Sequence, residues 1–117
     1  MQRSVEQRRA VRFPAMFLTT ISSKDRFLGE GTIQNISATG CRVERLINGP
    51  MPIEPGTELV LRFYPSESAT RIEVERAQVR WTQPDAFGVH FLSFQPGDHT
   101  ALDGLIGTFP APAPPLG

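Results

Sequence analysis

Several residue types are nearly missing from this 117-residue chain, and each scarcity removes a class of function. A single cysteine, Cys41, leaves no partner for an internal disulfide and no set for a thiolate metal cluster. Two histidines, His90 and His99, are too few to hold zinc alone. Net charge is zero, with twelve Lys and Arg against twelve Asp and Glu, so no global field draws a nucleic-acid polymer or a membrane. No window approaches the roughly 20 apolar residues that cross a bilayer. The opening residues Met1 to Arg9 lack the apolar stretch of a secretory signal, so a cytoplasmic, reducing setting is expected. Lysine is nearly absent too: the twelve cations are Lys24 and eleven arginines. The chain therefore carries its positive charge as planar forks, suited to phosphate oxygens and to a guanine edge.

What is present reads as one small domain. Hydrophobic residues make up 39%, enough for a core. Residues 1–12 are polar and basic and read as a flexible arm. Phe13 to Ile21 is an apolar run of strand composition, and Arg26 to Gln34 continues an extended pattern after the turn Ser22-Ser23-Lys24-Asp25. Cys41 and Val43 restart a short strand. Leu59, Leu61 and Phe63 alternate with Val60, Arg62 and Tyr64, as do Phe87, Val89 and Phe91 with their neighbours. Between them, Arg71 to Trp81 changes phase. Ile72 and Val74 lie on one parity, whereas Ala77, Val79 and Trp81 lie on the other, which predicts a bulge near Glu75-Arg76.

After Pro96-Gly97 the period lengthens. Ala101, Leu102, Leu105, Ile106 and Phe109 form one stripe of a helix that Asp98 is placed to cap. Residues 110–117 are proline-rich and read as a disordered tail. Six short strands and one helix point to a mainly β fold: a six-stranded antiparallel barrel with one C-terminal helix over residues 13–109. Closure would remove exposed strand edges.

Catalytic signals are poor. No glycine-rich phosphate loop opens a helix, and no Gly-x-Ser-x-Gly elbow is present. His90 falls in a strand and reads as structural; His99 falls in the first helical turn and reads as solvated. Glu73 and Glu75, with Arg71 and Arg76 beside them, read as a surface ion-pair network rather than an acid–base pair. The sequon Asn35-Ile36-Ser37 has no meaning without a secretory signal. Arg76 and Arg80 repeat an Arg-x-x-x-Arg spacing, but on a strand, where they read as solvated.

Two other elements carry more. Arg8-Arg9-Ala10-Val11-Arg12 places Arg-x-x-x-Arg in the polar segment just before the first strand, where arginines can close onto a ligand without breaking a sheet. Asn35-Ile36-Ser37-Ala38-Thr39-Gly40 reads as a strand-to-strand turn. Asn and Ser supply local hydrogen bonds there, and Gly permits positive φ. As a functional element, the same turn is a polar ledge.

In this order, the two elements resemble the PilZ domain family. The resemblance continues through Pro55-Gly56-Thr57-Glu58-Leu59, Ala77-Gln78-Val79-Arg80-Trp81 and Phe87-Gly88-Val89-His90-Phe91, covering roughly residues 6–108. It implies a six-stranded barrel with a C-terminal helix, no catalysis, and cyclic di-GMP, a bacterial second messenger, as ligand, with neither cofactor nor metal. Arg8 and Arg12 would take a guanine edge and a phosphate between them, and Arg9 a phosphate or a second ligand molecule. Asn35 and Ser37 would hold the other face of the nucleotide, and Gly40 would shape the turn and admit the ligand to the backbone. Asn35 stands where the family commonly has an acid, keeping an acceptor but losing charge. Trp81 is a candidate stacking platform, with a place in the barrel core as its alternative.

The implied function is an effector whose arm orders on binding and signals to a downstream protein, as a monomer or a ligand-dependent dimer. The alternatives are a PilZ-like protein-interaction adaptor that does not bind the nucleotide, a barrel for single-stranded nucleic acid, and a hydrolase of the same dinucleotide. Zero net charge and a single tyrosine weigh against the nucleic-acid barrel. The missing metal-ligand set weighs against the hydrolase.

Overall fold

A computed structural model describes residues 11–24, 26–46, 53–65 and 71–109. The expected basic arm, residues 1–10 of it, and the proline-rich tail therefore lie outside the described residues. Six strands run in chain order as β1 (Phe13–Ser23), β2 (Arg26–Ile36), β3 (Gly40–Arg45), β4 (Glu58–Tyr64), β5 (Ile72–Thr82) and β6 (Ala86–Phe94). Every neighbouring pair is antiparallel, and the order β1-β2-β3-β6-β5-β4 closes into a barrel through β1 against β4. The mainly β, six-stranded barrel expected from the sequence is the fold observed.

The core follows from alternation. Phe17, Thr19 and Ile21 of β1 turn inward while Met16 and Leu18 stay exposed. Leu59, Leu61 and Phe63 do the same in β4. Ile33, Val43, Val74, Val79 and Phe87 complete a continuous interior. Phe17, Phe63, Phe91 and Phe94 form a chain of tilted and edge-to-face rings with centroids 5.4, 6.0 and 5.5 Å apart, the geometry that aromatic quadrupoles favour.

Bulges set which side chains reach the surface. In β5 the predicted slip occurs: Ile72 and Val74 are buried, Glu75 and Arg76 are both exposed, and Ala77 and Val79 are buried again. A second register shift lies between Val79 and Trp81. It leaves Arg80 and Trp81 both outside, so Trp81 departs from the inward face that simple alternation gave it. In β2, a shift between Ile33 and Asn35 against β3 brings Gln34 and Asn35 together to the half-buried outer surface.

The helix α1 (Asp98–Gly107) covers the end of the barrel where β1 and β5 begin. Leu102 is fully buried, and Ala101, Leu105, Ile106 and Phe109 pack against the core, as their spacing predicted. The expected cap is corrected. Gly97, at φ 86°, is the N-cap and no side chain caps the helix. Asp98 instead accepts the backbone N–H of Glu73 through Oδ2 at 2.8 Å, tying α1 to β5. The ion pairs of Glu73 and Arg76 are also cross-strand rather than local: Arg62 to Glu73 at 2.7 Å, and Arg76 to Glu58 through two bonds of 3.0 and 2.9 Å.

Candidate functional site

Strand register builds the site. Pro14 of β1 pairs with Asn35 of β2, Asn35 with Arg42 of β3, Arg42 with Gly88 of β6, and Gly88 with Trp81 of β5. These residues form one lateral row across the outer face of the barrel. The sequence separates them by up to 67 positions (81 minus 14), and only the lateral pairing of five neighbouring strands brings them together.

Arg12, just ahead of β1, reaches this row. Its Nη1 donates to Asn35 Oδ1 at 3.0 Å. The Arg-x-x-x-Arg segment and the Asn-x-Ser-x-x-Gly turn are thus joined through Arg12 and Asn35, 23 residues apart. The partner is a neutral amide, so the bond orients the guanidinium without neutralising it. Arg8 and Arg9 lie outside the described residues.

Ser37 is placed differently from Asn35. It is 1% exposed, and its Oγ accepts the backbone N–H groups of Thr39 at 3.1 Å and Gly40 at 3.2 Å. Its own N–H donates to Gly40 O at 2.8 Å. The hydroxyl is used up in shaping the turn, and Ser37 bears on the site through the ledge it holds. Phe91 N–H donates to Thr39 O at 2.8 Å and fastens the turn to β6.

Gly40 is not required for positive φ, as a turn reading expected. It opens β3 in extended backbone, and a Cβ there would collide with the Val89 carbonyl oxygen of β6. Glycine is needed for close approach of two strands.

Trp81 lies on Gly88. A Cβ at Gly88 would overlap the indole at Nε1, Cε2 and Cζ2. The indole is therefore packed directly against bare backbone while the residue remains 37% exposed. Arg42 stands over the ring with Cζ 5.3 Å from the centroid. Such pairs are worth about 0.5–1 kcal/mol at exposed sites.

A cleft of about 470 Å³ opens beside this row, lined by Arg12, Thr39, Gly40, Arg80, Trp81 and His90 with the backbone of β6. On the other side of Asn35 lies a groove of about 690 Å³ lined by Pro14, Ala15, Met16, Gln34, Asn35 and Arg42. The site thus offers guanidinium groups, amide donors and acceptors, and one aromatic plane, which is chemistry for holding a planar anionic ligand. Among the described residues, no group of three or more His, Cys, Asp or Glu could hold a metal. Cys41, behind the row in β3, is wholly buried. Burial pushes its thiol pKa strongly upward, against a smaller opposing pull from the Arg12 charge, so it stays neutral and unreactive.

Sequence reasoning had not assigned Arg42, Gly88, Arg80 or His90 to the site. Arg42 lies two positions after Gly40, on the same strand face, and that parity was the available signal. Arg80 was read as merely solvated on its strand; it is exposed and lines the cleft. His90 was read as structural; it pairs with Gly40 and lines the cleft.

The PilZ domain pattern matches residues 6–107. No curated protein matches the sequence. Among solved structures, the inhibitor of motility MotI/DgrA of Bacillus subtilis superposes with a TM-score of 0.61 at 22% identity, over 84% of this chain and 50% of that one. The chain thus spans half the length of that protein. The PilZ domain of CeSA from a cellulose-synthesizing bacterium superposes with a TM-score of 0.62 at 13% identity, over 83% of this chain and 95% of that one. At these identities both comparisons speak to the fold.

Proposed function

The chain belongs to the PilZ domain family, whose members are binding and effector modules rather than enzymes, and we propose that it is a cyclic di-GMP receptor that passes its bound state to a partner protein. The observation that carries this reading is the bond from Arg12 to Asn35 between two cavities, which leaves a full positive charge at the ledge. Cyclic di-GMP brings two phosphates and two guanines. One arginine fork matches the O6 and N7 acceptors of a guanine, and another matches phosphate oxygens. Arg8 and Arg12 divide these tasks, and Arg9 adds a phosphate contact or meets a second ligand molecule. Asn35 presents its amide to the base, Ser37 and Gly40 keep the ledge in place, and Trp81 provides an aromatic plane.

Binding closes the segment around Arg8–Arg12 over the barrel, and the surface so formed is what the partner reads. The ordering of that segment costs free energy, so a few charge-assisted contacts carry the affinity. The setting is cytoplasmic, where the messenger is found. Among the described residues, no helix is long and apolar enough to cross a membrane.

Calorimetric titration with cyclic di-GMP tests the reading. Arg8→Ala and Arg12→Ala should each weaken binding by ~1–3 kcal/mol, roughly ten- to hundredfold. Unchanged affinity in both variants refutes the assignment. Size-exclusion chromatography with and without ligand reports whether the bound form is a monomer or a dimer.

A further inference from the structure

A chain of polar contacts on the outer barrel face ends at the exposed indole. Gln34 Nε2 donates to Glu44 Oε2 at 2.9 Å, and Arg42 Nε donates to Gln34 Oε1 at 3.2 Å. Arg42 then lies over Trp81. A strand arginine on a wet surface samples many rotamers. This one is held at Nε by an amide that the β2 bulge turns outward, and that amide is held in turn by a carboxylate of β3. Among the described residues the side chain bonds through Nε alone, which turns both Nη nitrogens of the planar end group toward a ligand.

The indole packs against Gly88, and the Arg42 guanidinium stands over its ring. A base approaching Trp81 from outside meets Arg42 first. Arg42 also lines the 690 Å³ groove, whose wall includes Asn35, the partner of Arg12. That groove is continuous with the ledge, has room for a nucleobase with its ribose, and has an exposed thioether at Met16 along one side.

We infer that Arg42 is a ligand-binding residue: its guanidinium plane, backed by Trp81, is the layer on which one guanine of the dinucleotide stacks in this groove, and Gln34 and Glu44 are its positioning residues. This rests on the cyclic di-GMP reading above. The order outward from the sheet is Gly88, Trp81, Arg42, base. Guanidinium planes stack on bases as aromatic rings do, and they bring positive charge near the phosphates. A lysine supplies the charge without the plane.

Trp81 is the only tryptophan of the chain, so its emission reports on this stack alone. Acrylamide quenching of the ligand-free protein should rise about twofold in Arg42→Ala and rise in Gln34→Leu, while Glu44→Gln, which keeps an acceptor for Gln34, stays near the native value. In calorimetric titration, Arg42→Ala and Arg42→Lys should both weaken cyclic di-GMP binding roughly tenfold, the range of one base-stacking contact. Circular dichroism melts establish that the variants are folded, and Arg42→Lys decides the matter should Arg42→Ala melt early. Native binding with unchanged affinity in Arg42→Lys overturns the inference and leaves the site reading intact. No binding by the native protein overturns both.

Discussion

Two glycines show how single atoms govern this surface. At Gly40 the absent Cβ lets β3 approach the Val89 carbonyl, and at Gly88 it lets an indole pack directly on the strand. The consequences of filling them differ. The obstacle at Gly40 is backbone and cannot move, whereas the one at Gly88 is a surface side chain that can swing away. Gly88→Ala should therefore change stability by about 1 kcal/mol or less, yet lift Trp81 off its seat. Trp81 emission should shift to the red, and cyclic di-GMP affinity should fall along with it. A blue-shifted or unchanged spectrum in Gly88→Ala would contradict the stacking geometry. Ser37 makes a related point: a polar residue in a ligand motif can act wholly through the turn whose N–H groups it satisfies.

At the scale of elements, β5 organises the outside of the barrel by breaking register twice. The first break puts Arg76 outward, where it forms two bonds to Glu58 of the neighbouring β4. Hydrogen bonding from Arg76 holds the Glu58 carboxyl below the usual glutamate range against an opposing effect of desolvation, with the Arg76 charge adding to the lowering. A carboxylate whose folded pKa is depressed contributes stability above its unfolded pKa, about 4.3, and loses it as pH falls through the folded value. Native protein should thus exceed Glu58→Gln in urea midpoint at pH 6, and the gap should close as pH drops toward 3. Both groups are exposed, so added salt should shrink the gap at pH 6. A gap that persists at pH 3 would mean that packing, not charge, is responsible. The second break of β5 carries Trp81 outward, and the shift in β2 does the same for Gln34 beside Asn35.

For the whole molecule, closure is the governing feature. Every strand has two neighbours, so no strand lies along its whole length at an open edge. Cys41, in β3 at the centre of this closed surface, is wholly buried and carries a thiol that burial keeps protonated. Labelling by a thiol reagent should therefore require global opening. Its rate should rise with urea with the slope of equilibrium unfolding. A labelling rate insensitive to low urea would reveal local opening of β3 instead.

Local pattern was enough to determine the mainly β class, the six strands, the first bulge of β5, the apolar stripe of α1 and the two motifs that resemble the PilZ family. Alternation and turn chemistry are properties of neighbours in the chain, and each of these features is written at that range. The lateral row Asn35–Arg42–Gly88–Trp81 was decided only by the tertiary structure. A one-residue bulge reverses the face of everything beyond it, and where such an extra residue falls depends on the strand opposite. Hence Trp81 left the core face and Arg42 came to lie over an indole 39 positions away (81 minus 42), while the docking of α1 beside β5 turned Asp98 from capping the helix to accepting a bond from Glu73.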